Sequence, residues 1–327
     1  MRTRALSLRA APTIAAAALF LAACSGPRPD LGFPGYVVSG TRTGSEPRGV
    51  VLTPDDEHLY LTHCSSSGYV YYMRTSDLSV EDSMFIAGSP YGATLTPGGD
   101  YLYLACTYGE GVAVLRTSDN SLREVIPVGH QPNRVLAAPD GRHVYVGYAG
   151  GPVTVISTDS NRVMDSIDVR GGNWGMDFSP DGQYLYVCSE NDNSLAIVHR
   201  FKHLVVARVG ALHGAYDVVA MPGGRYVYVS CPGLECVICV DITEGRIVAY
   251  IPLQGAPYCM AALPDGEYIY AAVGGDNAQG VAVIRTSDNT VVHRIPIDGW
   301  PTCMAVTSAG DRIYVVTYPS GLLVIGY

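Results

Sequence analysis

Pro139-Asp140-Gly141-Arg142-His143-Val144-Tyr145-Val146 is the phrase on which the reading of this chain turns. A tight turn opens it, and a strand carrying Tyr six positions after the turn begins closes it. The phrase occurs seven times at a spacing of 41 to 44 residues. Its turns begin at Pro54, Pro97, Pro139, Pro180, Pro222, Pro264 and Ser308, and the matching tyrosines are Tyr60, Tyr103, Tyr145, Tyr186, Tyr228, Tyr270 and Tyr314. A period of this length built from short alternating strands predicts an all-β fold, a seven-bladed β-propeller with four-stranded blades. No single blade can bury its two faces without neighbours on both sides.

The third repeat resolves into strands at Val135–Ala138, Val144–Tyr148, Val153–Ser157 and Val163–Val169, with the apolar and polar alternation that a blade packed between two others requires. Asp-Gly or Gly-Gly supplies the positive φ angles at five of the seven inner hairpins. Pro127, Pro252 and Pro296 fall in the fourth strands, the outer edges, where proline costs no ladder hydrogen bond and blocks pairing with another molecule. The repeats open near residues 47, 90, 132, 173, 215, 257 and 301, and the seventh stops after its third strand, Leu322–Tyr327. Tyr36-Val37-Val38-Ser39 has the strand character to supply the missing one. The N-terminal segment is therefore expected to complete the last blade, so that residues 36–327 form one closed ring.

Ahead of the propeller stand Arg2, Arg4 and Arg9, an apolar run from Ala11 to Ala23, and Cys24. The run is too short for a hydrocarbon core of roughly 30 Å and reads as a signal peptide, residues 1–23. Its end, Leu21-Ala22-Ala23-Cys24, resembles the bacterial lipobox, which implies cleavage before Cys24 and diacylglycerol on its sulfur. Residues 24–35 are then a tether, whose stretch from Cys24 to Pro34 of about ten residues reaches at most roughly 35 Å and holds the propeller close to a membrane. By the sorting rule for lipoproteins, Ser25 in place of Asp favours the outer membrane in a cell that has two. Loss of three arginines and no acids takes the formal charge from −9 to −12, which argues against a nucleic-acid partner.

The sequence Pro, Asp-Gly turn, Tyr-Val or Tyr-Leu, followed by the motif seen at Val283-Ile284-Arg285-Thr286-Ser287-Asp288-Asn289, resembles the YVTN-type propeller repeats of exported bacterial and archaeal proteins. The resemblance runs from about residue 36 to the end. It implies the propeller fold and is weak on function, because that family contains binding and surface proteins as well as relatives of lactonases and dehydrogenase subunits. The chain departs from the pattern at Pro54-Asp55-Asp56, which lacks Gly, and at Asn173, which stands where other repeats open on Pro.

Chemistry must come from residues that break the repeat. On the face where propellers usually hold ligands, the position after each opening residue reads Arg48, Tyr91, Asn133, Trp174, Tyr216, Tyr258 and Thr302. A ring of aromatics there suits stacking on a sugar, a cyclic ligand or a peptide side chain; the alternative is that the rings plug the channel. The next position is mostly small (Gly49, Gly92, Gly175, Cys259, Cys303), so Arg134 and Asp217 stand out, and two positions further in Asp177 is the single charge. Desolvated charges are candidates for ligand binding or catalysis, although Arg134 and Asp177 are also expected to pair across adjacent blades.

Of the histidines, His58 and His143 take a position where other blades carry Tyr and read as structural, while His130, His213 and His63 lie toward the ligand face without convergence; no metal and no cofactor are expected. There is no Cys-x-x-Cys-His, nucleophile elbow or phosphate loop. Cys231 and Cys236 bracket a short loop between adjacent strands and form the best disulfide candidate, with Cys259 and Cys303 in equivalent positions of neighbouring blades a weaker one. These observations favour a monomeric, envelope-anchored propeller that presents its channel mouth to a small ligand or an envelope protein. The alternative is a lactonase-like or other hydrolase using Asp177, Asp217 and Arg134 in the channel. An accessory subunit of a periplasmic redox complex has no residue-level support.

Overall fold

In the computed structural model, which describes residues 35–326 except 45, 66, 67, 110, 130, 173, 276–278 and 320, seven antiparallel four-stranded sheets stand as the blades of a propeller. The expected class and blade count are both observed. The innermost strands are Pro47–Leu52, Pro90–Leu95, Pro132–Ala137, Met176–Phe178, Asp217–Ala220, Ala256–Ala262 and Trp300–Val306, numbered here as blades 1 to 7. Blade 7 is closed by the N-terminal strand Tyr36–Arg42, which pairs antiparallel with Gly321–Gly326 as its outermost member. The expected signal peptide, Cys24 and the expected tether as far as residue 34 lie outside the described residues.

The turn chemistry explains the phrase. In blade 3 the Gly141 N–H donates to Ala138 O at 2.8 Å with Gly141 at φ +69°, and Gly occupies the corresponding position at 99, 182, 224, 266 and 310, always with positive φ. In blade 1 Asp56 adopts this conformation itself, at φ +58°, which Asp tolerates better than most residues. Each such Gly also faces the Pro ring that opens the turn of the preceding blade, as Gly141 faces Pro97 and Gly182 faces Pro139. At the ring closure both partners differ. Asp56 replaces Gly, Ser308 replaces Pro, and the Asp56 carboxylate accepts hydrogen bonds from the Ser308 N–H (2.7 Å) and hydroxyl (2.6 Å).

The repeated Tyr belongs to the packing between blades. Its phenol donates to an Asn in the outer hairpin of the next blade: Tyr60 to Asn120 (2.8 Å), Tyr103 to Asn161 (2.7 Å) and Tyr228 to Asn289 (2.6 Å). These asparagines are left-handed turn residues, with φ between 50° and 57°. The Thr of the same hairpin ties it back to the inner turn of its own blade, as Thr158 does by donating to Gly141 O at 2.7 Å. Blade 4 carries Arg200-Phe201-Lys202-His203 in place of that motif. There the buried Arg200 donates to Gly182 O and to Asp140, while His203 takes the Asn position and leaves the Tyr145 phenol buried without a partner.

Candidate functional site

Seven innermost strands converge on the channel, and the spacing there is set by sterics. A Cβ added at Gly49 would lie 2.6 Å from Tyr91 O, one at Gly92 2.6 Å from Asn133 O, and one at Gly175 2.7 Å from Tyr216 O. Blades 1, 2 and 4 therefore admit only hydrogen at this level, whereas blades 3, 5, 6 and 7 place Arg134, Asp217, Cys259 and Cys303 there. The result is a cavity of about 230 Å³ bounded by those four side chains below and by Arg48, Tyr91, Asn133, Trp174, Tyr216 and Tyr258 above. A shallower depression of about 370 Å³ continues it outward to Trp300 and Tyr318.

The rim is a chain of ring contacts. Trp174 stacks on Tyr216 (centroids 5.2 Å apart, 14° between planes), Tyr216 meets Tyr258 edge-on at 5.5 Å, and Tyr258 meets Trp300 at 5.7 Å. Trp300 pairs in register with Tyr318, and the Arg48 guanidinium lies between the Tyr318 ring (5.3 Å) and the Tyr91 ring (5.7 Å). All these residues keep solvent contact, Trp300 and Tyr318 at 40 % each. The Trp174 indole N–H is held by Glu190 at 2.8 Å. Burial pushes the Tyr91 and Tyr216 phenols above their ordinary range, so both remain donors at neutral pH. Inside the rim, Asn133 is 3 % exposed, and neither its amide oxygen nor its nitrogen has a hydrogen-bond partner.

Trp300 and Tyr318 were not among the expected site residues. Trp300 lies two positions before Thr302 and Tyr318 at the end of the second strand of blade 7, so neither falls in the row that aligns the repeats. Only the cross-strand register brings them to the mouth.

The expected pairing of Arg134 with Asp177 is not what the structure contains. Arg134 reaches instead from blade 3 to Asp217 of blade 5, Nη2 to Oδ1 at 3.4 Å, across the bare Gly175 of blade 4. Asp217 also accepts the Met260 N–H of blade 6 at 2.9 Å. Desolvation raises its pKa, with Arg134 and that N–H acting against the rise; desolvation likewise opposes the Arg134 charge, and Asp217 together with Cys303, Cys259 and Tyr216 outweighs it.

Asp177 lies outside the cavity wall. Its two oxygens accept the N–H groups of Phe178 and, in blade 5, Ala220, both at 2.8 Å. Thr94 does the same between blades 2 and 3 by accepting the Ala137 N–H at 3.1 Å. This row stitches each blade to the next wherever it carries an acceptor, and Asp177 is such a stitch. Desolvation pushes its carboxyl up to about 6. A folded-state pKa above the unfolded value means that the protonated form stabilises the fold at low pH and that this stability is lost as pH rises from about 4 to about 6. Asp177→Asn removes that dependence. The melting free energy of the variant minus that of the wild type is expected to rise by on the order of 1 to 2 kcal/mol between pH 4 and pH 7, allowing for partial solvent contact. A difference that is flat with pH would refute this assignment.

The remaining candidates separate from the mouth. His58 stacks on Tyr72 at 4.6 Å and pairs with Glu81, His143 is largely enclosed, and His63 is buried beside Tyr71; His130 lies outside the described residues. Asp55, Glu57 and His58 bring donor atoms within 4.8 Å of one another at an exposed turn, where Asp55 is already engaged by the Thr53 hydroxyl and the Glu57 N–H. Cys231 lies directly opposite Cys236 in the strand register, and both are free thiols in this structure. No helix among the described residues is long and apolar enough to cross a membrane.

No family model matches the chain. Antigen Lp49 of Leptospira interrogans serogroup Icterohaemorrhagiae serovar copenhageni is 24 % identical over 177 residues, 47 % of this chain and 38 % of that protein, so the match spans well under half of the relative's length. Among solved structures, a chain of Kuenenia stuttgartiensis hydrazine synthase superposes with a TM-score of 0.76 at 21 % identity, covering 85 % of this chain and 94 % of the other. A likeness at that identity shows the propeller fold and carries no chemistry across.

Proposed function

We propose that this chain is an envelope-tethered binding propeller of the YVTN type, whose aromatic channel mouth captures a small cyclic ligand bearing an anionic or strongly polar group. The observation that carries the reading is Asn133. A buried amide with four unmet hydrogen bonds costs roughly 1–3 kcal/mol for each group left unpaired, and a turn of this side chain toward the cavity it lines would let a ligand meet them. Flat rings on the rim suit a sugar or other ring face, and Arg48 and Arg134 suit its charge. Lipid on Cys24 would hold the mouth near a membrane, most simply the outer one where a cell has two, each buried methylene adding about 0.8 kcal/mol. The hydrolase alternative has less support, because Asp177 is occupied by backbone donors away from the cavity and Asp217 by Arg134 and Met260.

The chain has only two tryptophans, Trp174 and Trp300, and both are on the rim, so tryptophan emission, excited selectively over tyrosine, reports this site alone. Titrating a panel of monosaccharides, oligosaccharides and cyclic carboxylates should yield a member that shifts the emission. Trp174→Ala and Asn133→Ala should each weaken its binding about tenfold or more. Because Trp174 is partly exposed, its replacement should cost about 1 kcal/mol of stability or less, against the 3–5 kcal/mol of a core plug. A panel without effect, or a steep loss of stability in Trp174→Ala, would remove the small-ligand reading. Anchoring has its own measurement: palmitate labelling of the full precursor in a bacterial host, which Cys24→Ala should abolish.

A further inference from the structure

Two thiols share the floor of the cavity. Cys259 and Cys303 hold equivalent positions on the innermost strands of blades 6 and 7, Cys303 packs against the apolar cluster that contains Cys259, and both line the cavity wall. They are unequal. Cys259 is 5 % exposed, whereas Cys303 keeps partial solvent contact. Cys259 first, then Arg134 and the Val50 N–H, hold the Cys303 thiol below its ordinary range against the opposing effect of burial. The charged and titratable groups around the pair include Arg134, which favours a thiolate, Asp217, which opposes it, Tyr91 beside Cys303 and Tyr216 beside Cys259.

We propose that Cys259 and Cys303 form a dithiol centre that exchanges with small disulfides entering through the channel mouth and closes to a disulfide between blades 6 and 7. The division of labour follows from the geometry. Cys303, the more exposed and better-stabilised thiolate, attacks one sulfur of a low-molecular-weight disulfide R–S–S–R and expels RS⁻, which takes up a proton. Cys259 then gives up its proton, and its sulfur attacks Cys303 Sγ in the mixed disulfide and expels the second RS⁻, which is protonated in turn. Two electrons leave the protein, one S–S bond is broken and one is formed, and R–S–S–R becomes two R–SH. Its neighbour Cys303, and burial after it, hold the Cys259 thiol protonated until the mixed disulfide has formed beside it, which suits the resolving role.

The probe is 4,4′-dithiodipyridine applied to the full propeller, with thiopyridone release followed by absorbance and the products mapped by mass spectrometry. The wild type should release two equivalents in its fastest phase and yield a linked Cys259–Cys303 peptide. Cys259→Ala should release one equivalent and keep a stable mixed disulfide on Cys303, while Cys303→Ala should lose the fast phase. Arg134→Gln should slow the first equivalent about tenfold. Fast release that maps to Cys231 and Cys236, or Cys259 and Cys303 remaining free after the accessible thiols have reacted, would overturn the proposal. If an alanine variant does not fold, the serine variant at the same position gives the same readout. The centre uses the cavity of the proposed binding site without resting on its ligand. Thiopyridone reports the one and tryptophan emission the other, so either can fail alone.

Discussion

Removing residues 36–42 is expected to abolish the single cooperative unfolding transition of the propeller. That segment is the outer strand of blade 7, and six residue pairs tie it to Gly321–Gly326, from Tyr36 opposite Gly326 to Arg42 opposite Gly321. At a net contribution of about 1 kcal/mol per ladder hydrogen bond, the loss is on the order of 5 kcal/mol, a large share of the 5–15 kcal/mol by which a domain is stable. The strand itself is mostly exposed, so its contribution lies in the ladder and in joining the two ends of the ring more than in buried area. Its partner strand carries Leu322, Val324 and Ile325, all nearly inaccessible, and Leu322 and Val324 pack with Val50, Leu59 and Leu61 of blade 1. Without the clasp this interface is held by packing and by a few hydrogen bonds, such as those of Ser308 to Asp56 and of Tyr314 to Thr75 O. Scanning calorimetry should show a broad transition at much lower temperature, partly restored by a peptide of residues 36–45 added in trans. A deletion variant that melts as the full chain does would refute the closure role.

Replacing Tyr103 by Ala should destabilise the fold by about 3–5 kcal/mol, because the ring is 1 % exposed and its neighbours in two blades cannot collapse onto the space. The phenylalanine variants separate ring from hydroxyl. Tyr103→Phe removes the bond to Asn161 and should cost about 1 kcal/mol. Tyr145→Phe removes a hydroxyl that is buried and unpartnered, so it should be neutral or stabilising. Denaturant midpoints at constant slope measure all three. Equal losses in the two phenylalanine variants would show that the Tyr–Asn link between blades contributes nothing.

Much of the architecture is legible along the chain because a propeller repeats its local rules. Each turn needs a residue at positive φ, each blade core needs alternation, and a ring of known period with one strand missing at its C-terminal end must find that strand elsewhere. The row Arg48, Tyr91, Asn133, Trp174, Tyr216 and Tyr258 is legible for the same reason, since equivalent positions in a repeat face one place. The partners of individual charges were not. Aligning repeats suggests that neighbours in sequence order pair, hence Arg134 with Asp177, yet a channel lets a long side chain pass over a glycine to the blade beyond.

By itself, then, the sequence determined the seven blades, their closure by residues 36–39 and the residues that face the channel mouth, because hydrophobic period and turn chemistry act over a few residues at a time. Tertiary structure alone decided what depends on blades meeting. It joined Trp300 and Tyr318 to the rim, left the Asn133 amide unmet in the cavity, brought Cys259 against Cys303, and matched the two irregular turns at Asp56 and Ser308. Those last two residues are separated by almost the whole ring in sequence. Only closure of the ring places a carboxylate where a serine can donate to it, and no rule that reads along the chain contains that distance.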